Sequence, residues 1–329
     1  MQKRIEWVDI AKGIGIIIVV LGHMSNKDGL VGSVIWAFHM PLFFFLSGLF
    51  LKPESALKAS FLKRVRQLLW PCLVFSIIAC MVAKFVLDMD LSFLSRGLPN
   101  TMWFLTTLFL ADMLSLLLLE RERENIWLLI AANLILAFVF EYEGWLTVYS
   151  LSSVFIASFY LLLGYKCKNA MQTLGSKMQT WKNLLYGILS AIVLVTMVRF
   201  LDIHTSLDDN MMTPVGVIAS FVGILMVIFF SKAIDEWGTN KELYKCFGSD
   251  GKSSNYGIMF KLKKALIFWG VNSLAVMVTH QIFIKLYSHF FAFDSHMVFK
   301  SVELIFVFTC CLLSIFILRG RLSFLIGKR

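Results

Sequence analysis

The sequence predicts an all-α integral membrane fold of about ten transmembrane helices, with both termini in the cytoplasm. Three observations predict it. Of the 329 residues, 58% are hydrophobic and only 16% are charged, whereas a soluble domain is about half apolar and about a quarter charged. Ten apolar stretches come close to the ~20 residues that a bilayer-spanning helix needs. The cations are also sorted: with the N-terminus inside, 25 of the 31 lysines and arginines fall on the cytoplasmic side. That is the bias that orients membrane proteins, and it demands an even number of spans.

The predicted spans run over residues 8–28, 31–51, 66–87, 102–119, 126–141, 146–165, 182–201, 214–231, 265–289 and 300–318. The first has no small-residue cleavage site behind it, so it reads as a retained helix rather than a signal peptide. The whole chain, 1–329, reads as a single polytopic domain, with 232–264 as a longer cytoplasmic loop too short to fold alone. The net charge of +10 is then a topology signal, and the expected surroundings are membrane lipids with no nucleic acid. Cys72, Cys80, Cys167, Cys246, Cys310 and Cys311 show neither a metal spacing nor a disulfide framework. They read as small buried hydrophobes, and no metal is expected. The outer loops "DMD" (88–90), "EYE" (141–143) and "DIHTSLDDN" (202–210) are acidic or polar. They reflect the absence of positive charge outside, or a surface for a sugar-like acceptor.

Ionisable groups inside spans are costly and mark interior cavities. Here they are Lys12, His23, His39, Asp112, His280 and Glu303, with Lys84, Arg199 and Lys285 near span ends. A lone intramembrane histidine is often only a helix–helix hydrogen-bonding group. In the first span, "KGIGIIIVVLGH", Lys12 and His23 are separated by about three helical turns plus about 20° of rotation. They share one face, about 16 Å apart along the axis. Gly13, Gly15 and Gly22 leave room for a neighbour or a ligand. The second span, "WAFHMPLFFFLSGLF", carries His39 and a proline, Pro41, that should kink it and free a carbonyl. The short connection makes the two spans antiparallel neighbours, so His23 and His39 can meet and relay a proton near neutral pH. The third begins "FLKRVRQLLWP". Lys63, Arg64 and Arg66 are ordinary positive-inside residues or a phosphate clamp.

Taken in order, "RIEWVDIAKGIGIIIVVLGH", "FHMPLFFFLSGLF", "KRVRQLLWP", "MWFLTTLFL" and "GVNSLAVMVTH" resemble the membrane acyltransferase-3 family, in its fucose 4-O-acetylase-like branch. The resemblance runs from end to end. It implies a ten-helix multi-pass enzyme of the bacterial inner membrane. Such an enzyme moves an acyl group, usually acetyl, from cytoplasmic acetyl-CoA or another acyl-CoA to a hydroxyl of a surface glycan or its lipid-linked sugar precursor. The family's functional basic residue and histidine fall on Lys12 and His23. Lysine stands where many members carry arginine, and it lacks the bidentate fork. The family's R-x-x-R element reads Lys63-x-x-Arg66, with Arg64 as a spare, and Val271 stands where the late motif carries a basic residue.

On that resemblance His23 is the expected base, or the group that orients the thioester, and His39 assists it. Ser47, Trp103, Asn272 and His280 are expected to line the substrate pocket, and Lys12, Lys63, Arg64 and Arg66 to attract the CoA phosphates. The axial distance from Lys12 to His23 is comparable to an extended pantetheine arm. A transporter or flippase for a lipid-linked sugar is the alternative, since kinked helices and intramembrane histidines suit proton coupling. No inverted repeat supports it. A third reading is a non-catalytic partner of a polysaccharide synthase.

Overall fold

A computed structural model describes residues 5–26, 29–53, 57–90, 102–142, 151–173, 180–201, 213–239, 254–293 and 295–328. The acidic loop at 202–210, most of the 238–260 segment and Cys246 lie outside the described residues. All regular structure among the described residues is helical. In chain order the helices are α1 (Glu6–Met24), α2 (Leu30–Trp36), α3 (His39–Gly48), α4 (Leu57–Arg64), α5 (Trp70–Phe85), α6 (Met102–Arg121) and α7 (Ile126–Tyr142). They continue as α8 (Leu151–Thr173), α9 (Thr180–Phe200), α10 (Pro214–Thr239), α11 (Ser254–Val271), α12 (Ser273–Phe290) and α13 (His296–Arg319). A π turn, Val65–Leu69, joins α4 to α5, and a 3-10 turn, Ser323–Ile326, follows α13.

Each of the ten predicted stretches contains a helix. Among the described residues seven spans are long and apolar enough to cross a bilayer, and eight if one sharply bent pair counts as a single span. Four expectations need correction. The second span is continuous only in outline: α2 stops at Trp36 and α3 starts at His39. The kink expected at Pro41 therefore falls at Ala37–Phe38, because Pro41 has no N–H to give to the Ala37 carbonyl. Phe38 leaves helical geometry (φ −140°, ψ −13°) and packs its ring against Gly223 of α10. The third span starts earlier, at Leu57, and contains the π turn. The ninth is broken at Asn272, where α11 and α12 meet at 78°. Within the stretch expected as a loop, 232–264, the described residues are helical, since α10 runs on to Thr239 and α11 begins at Ser254.

The chain forms two compact units, each made of two separate lengths of sequence. The first combines Met1–Leu49 with Gly164–Ser273, and the second Phe50–Leu163 with Leu274–Arg329.

In the first unit α1 packs on α2, α3, α10 and α11, and α10 also packs on α3, α9 and α11. Glycine in a helix interior costs about 1 kcal/mol relative to alanine, and α1 carries three. Two of them bring α1 against α2 and α3: Gly15 faces Leu42 and Phe43, and Gly22 faces Ile35. The third, Gly13, meets the Leu266 backbone of α11, while Gly270 of α11 meets the Asp9 carbonyl and the Gly13 nitrogen. The room left by these glycines is therefore filled by neighbouring helices. At the Glu6 end of the unit, Lys263 of α11 lies 2.6 Å from Glu6 of α1 and 2.7 Å from Asp235 of α10. Its ammonium also donates to the Thr239 hydroxyl at 2.6 Å.

In the second unit the π turn packs on α4, α5 and α6, and the 3-10 turn packs on α5 and α13. The Ser115 and Ser158 hydroxyls share a buried hydrogen bond of 2.9 Å between α6 and α8.

Candidate active site

Lys12, His23, His39, Ser47 and Asn272 belong to the first unit, and Lys63, Arg64, Arg66, Trp103 and His280 to the second.

Lys12 and His23 lie on one unbroken helix, α1, so the three-turn spacing read from the sequence stands. Both side chains are half-buried. At the far end of α1 the His23 ring meets Trp36 edge-on, with centroids 5.1 Å apart and planes at 86°. Trp36 meets His39 in the same way, at 5.0 Å and 80°. The two histidine centroids are 6.4 Å apart. Edge-to-face packing at these separations is a favoured aromatic arrangement, and the indole is the spacer between the two imidazoles. Its Nε1–H donates to the Gly22 carbonyl at 3.4 Å, tying the spacer to α1.

His39 is 3% exposed and occupies the first position of α3, directly after the break. Its Nδ1 lies 3.0 Å from the Ile35 carbonyl. In the neutral ring that nitrogen carries the proton, which makes Nε2 the acceptor. The break at Ala37–Phe38 thus serves the site: it turns the chain so that Trp36 and His39, three residues apart, both face His23.

Asn272 fills the break between α11 and α12. It is 3% exposed, and its amide donates to the Phe268 carbonyl at 2.7 Å, one of the carbonyls that a helix end leaves without an intrahelical partner. Two residues earlier Gly270 touches α1 beside Gly13, so the Asn272 break lies beside the Lys12 end of α1. Ser47 is half-buried in the last turn of α3.

In the second unit the basic cluster is divided. Arg64 Nε lies 2.8 Å from Asp112 Oδ2, and Asp112 is fully buried in α6. Lys63 and Arg66 are exposed, Arg66 within the π turn. The residue read as a spare is therefore the one held by a carboxylate. Trp103 is half-buried in the first turn of α6, edge-on to Phe104. His280 is fully buried in α12, and its Nδ1 lies 2.8 Å from the Val276 carbonyl, one turn back in the same helix.

Sequence reasoning missed Trp36 as part of the site, although its i, i+3 spacing from His39 was visible. It also counted Lys232 as a loop cation. That lysine is 4% exposed in α10, donates to the Met171 carbonyl, and sits 5.0 Å over the Trp7 ring.

An acyltransferase domain family matches residues 5–319 of the chain. The nodulation protein NolL of Mesorhizobium japonicum is 31% identical over 40% of this chain and 40% of its own length. NolL of Sinorhizobium fredii is 33% identical over 39% of this chain and 40% of its own length. The match thus spans well under half the length of these curated relatives. No solved structure matches the chain.

Proposed function

Because the chain belongs to the membrane acyltransferase-3 family, we propose that it moves an acetyl group from cytoplasmic acetyl-CoA to a sugar hydroxyl. The acceptor is a surface glycan or its lipid-linked precursor, and the setting is a bacterial inner membrane. The observation that carries this reading is the His23–Trp36–His39 ring cluster on the same helix face as Lys12.

His23, the more exposed of the two imidazoles, takes the proton of the acceptor hydroxyl. The hydroxyl oxygen attacks the thioester carbonyl, the new C–O bond forms, and the C–S bond breaks. The imidazolium then returns its proton to the departing CoA thiolate. His39, with its Nδ1–H directed at the Ile35 carbonyl, holds Nε2 ready to pass a proton. Lys12, Lys63 and Arg66 attract the donor's phosphates, and Arg64, held by Asp112, supports the turn that carries Arg66. Ser47 and Asn272 of the first unit meet the acceptor or the thioester in this reading. The developing oxyanion needs donors as well as a base.

The test is His23→Ala and Lys12→Ala, each assayed in membranes for acetyl-CoA-dependent O-acetylation. Loss in both is expected, and normal turnover in both overturns the reading. One observation favours a lipid-linked-sugar flippase instead: the 78° break at Asn272 is the discontinuous-helix geometry of transporters. A flippase is indifferent to CoA, so donor binding separates the two.

A further inference from the structure

The pair between Arg64 and Asp112 is built unlike a structural ion pair. Asp112 is fully buried in α6, while Arg64 of α4 keeps 24% of its side-chain surface. They touch at one point, Nε to Oδ2 at 2.8 Å. Arginine–carboxylate pairs are frequently bidentate. Here Asp112 Oδ1 is buried and accepts no hydrogen bond among the described residues. A buried charge pair stabilises a fold only when its remaining lone pairs are also satisfied. As a strut between helices, this one is poor.

It is good at fixing a direction. Phe61, three residues before Arg64, meets Phe109, three residues before Asp112, with centroids 5.7 Å apart and planes at 64°. Residues three apart share a helix face, so two side-chain contacts at the same spacing set α4 on α6 in one register. No residue of α4 is buried, so these contacts rather than a core hold that helix. Arginine carries five N–H donors in a rigid planar fork. The contact through Nε uses one of them. The four donors of the two terminal amino groups meet no partner among the described residues. A solvated surface arginine needs no buried carboxylate behind it. A carboxylate at Nε fixes the plane of the guanidinium and aims the other end of the fork, and that end matches two oxygens of a phosphate.

We propose that Arg64, besides steadying the turn, binds a phosphate of the acyl-CoA donor through its terminal amino groups, and that Asp112 is the positioning residue that aims them. This rests on acyl-CoA being the donor. A lipid headgroup offers the same phosphate chemistry, so the experiment includes both sources.

The purified full chain in detergent is titrated with adenosine 3′,5′-bisphosphate, the nucleotide end of CoA alone. The variants are Arg64→Lys and Asp112→Glu. Both keep every charge, so a loss of affinity in either is geometric. Lysine lacks the fork, and glutamate displaces the guanidinium by one methylene. About a tenfold loss of bisphosphate affinity is expected in Arg64→Lys. A similar loss is expected in Asp112→Glu, where no group that touches the ligand has changed. KM for acetyl-CoA should rise by a similar factor in both, with kcat held within about twofold, a split that a merely structural role does not produce. Affinity is read per folded molecule. Arg64→Lys, changed at a part-exposed site, decides the matter alone if Asp112→Glu does not fold. Unchanged bisphosphate affinity in Arg64→Lys overturns the proposal, as does a loss of thermal stability in either variant with affinity intact. Unchanged bisphosphate affinity with lost retention of phosphatidylglycerol assigns the fork to a lipid and overturns it too. Weakened bisphosphate binding in both variants, with no acetyl-CoA turnover even in the wild type, supports the fork and overturns the acetyltransferase reading.

Discussion

Replacing Gly270 by alanine should displace the helix that carries Lys12 and His23. A β-carbon at Gly270 would lie 2.8 Å from the carbonyl carbon of Asp9 and 2.9 Å from the nitrogen of Gly13, with the Asp9 oxygen closer still. Carbon atoms pack at about 3.5–4.0 Å, and the obstacle is backbone that cannot swing aside. The two helices must therefore part by on the order of 1 Å. Overpacking of this kind costs about 1–3 kcal/mol, and a ~1 Å misplacement of reacting groups costs about a hundredfold in rate. Gly13→Ala meets Leu266 backbone at the same seam and should behave alike. The Gly13→Ala/Gly270→Ala double variant should lose less than the two losses combined, because one retreat accommodates both methyls. Gly15→Ala presses only on the Leu42 side chain at 3.0 Å and the Phe43 ring at 3.2 Å, so its loss should stay under about tenfold. Gly257→Ala, with nothing within 4 Å, should be silent or stabilise α11 by up to about 1 kcal/mol. The assay is the proposed acetyl transfer by membranes, normalised to folded protein. Gly270→Ala with wild-type activity, or indistinguishable from Gly257→Ala, would refute the reasoning.

Other outcomes follow from the described contacts. Asp112→Asn should lower thermal stability in detergent by about 1–3 kcal/mol, less than a wholly buried pair because Arg64 keeps 24% of its side-chain surface. Combining it with Arg64→Gln should recover part of that loss, and additivity would argue against a coupled pair. Lys263→Met removes the tie to Glu6 and Asp235 and should cost about 1–2 kcal/mol, between an exposed and a buried pair. Trp36→Phe keeps a ring between the histidines but loses the bond to the Gly22 carbonyl. A stability loss of about 1 kcal/mol with substantial activity is expected, whereas Trp36→Ala should lose activity as His23→Ala does.

The helices were legible because apolar length is a strong signal in this chain, and His23 and His39 because polar groups inside spans are few. What escaped has physical causes. The 232–264 stretch reads as a loop because it holds Lys232, Asp235, Glu236 and Lys263. Those charges are instead satisfied between helices, Asn183 reaching Glu236 at 3.3 Å and Lys263 bridging α1 and α10. A sequence shows the charge but not its partner. Pro41 announced a bend by freeing the Ala37 carbonyl, but the space that Phe38 takes there is made by Gly223, far along the chain. Nothing in "VRQLL" distinguishes a π turn from an α turn; the groups that pack against it, Asp112 on Arg64 and Gly327 on the Arg66 carbonyl, lie elsewhere in the chain. The late "GVNSL" motif was noticed as a pattern, while the work of its glycine, seating α11 on α1, appears only once both helices are placed.

The seam between Gly13 and Gly270 also sets a timetable. Asp9 leaves the ribosome 261 residues before Gly270 does. At about 5–20 residues per second, the interval is on the order of 10–50 s. Throughout it, α1 waits in or beside the bilayer with the face that α11 will cover still bare and Lys12 next to it. Until α10 is made, α2 and α3 are the neighbours that hold it upright. The grip of Gly15 and Gly22 on those two helices is available from the start, and the closing contact with α11 arrives near the end of synthesis. A substitution at Gly22 should therefore register as poor membrane insertion, and one at Gly270 as a protein that inserts normally and fails afterwards.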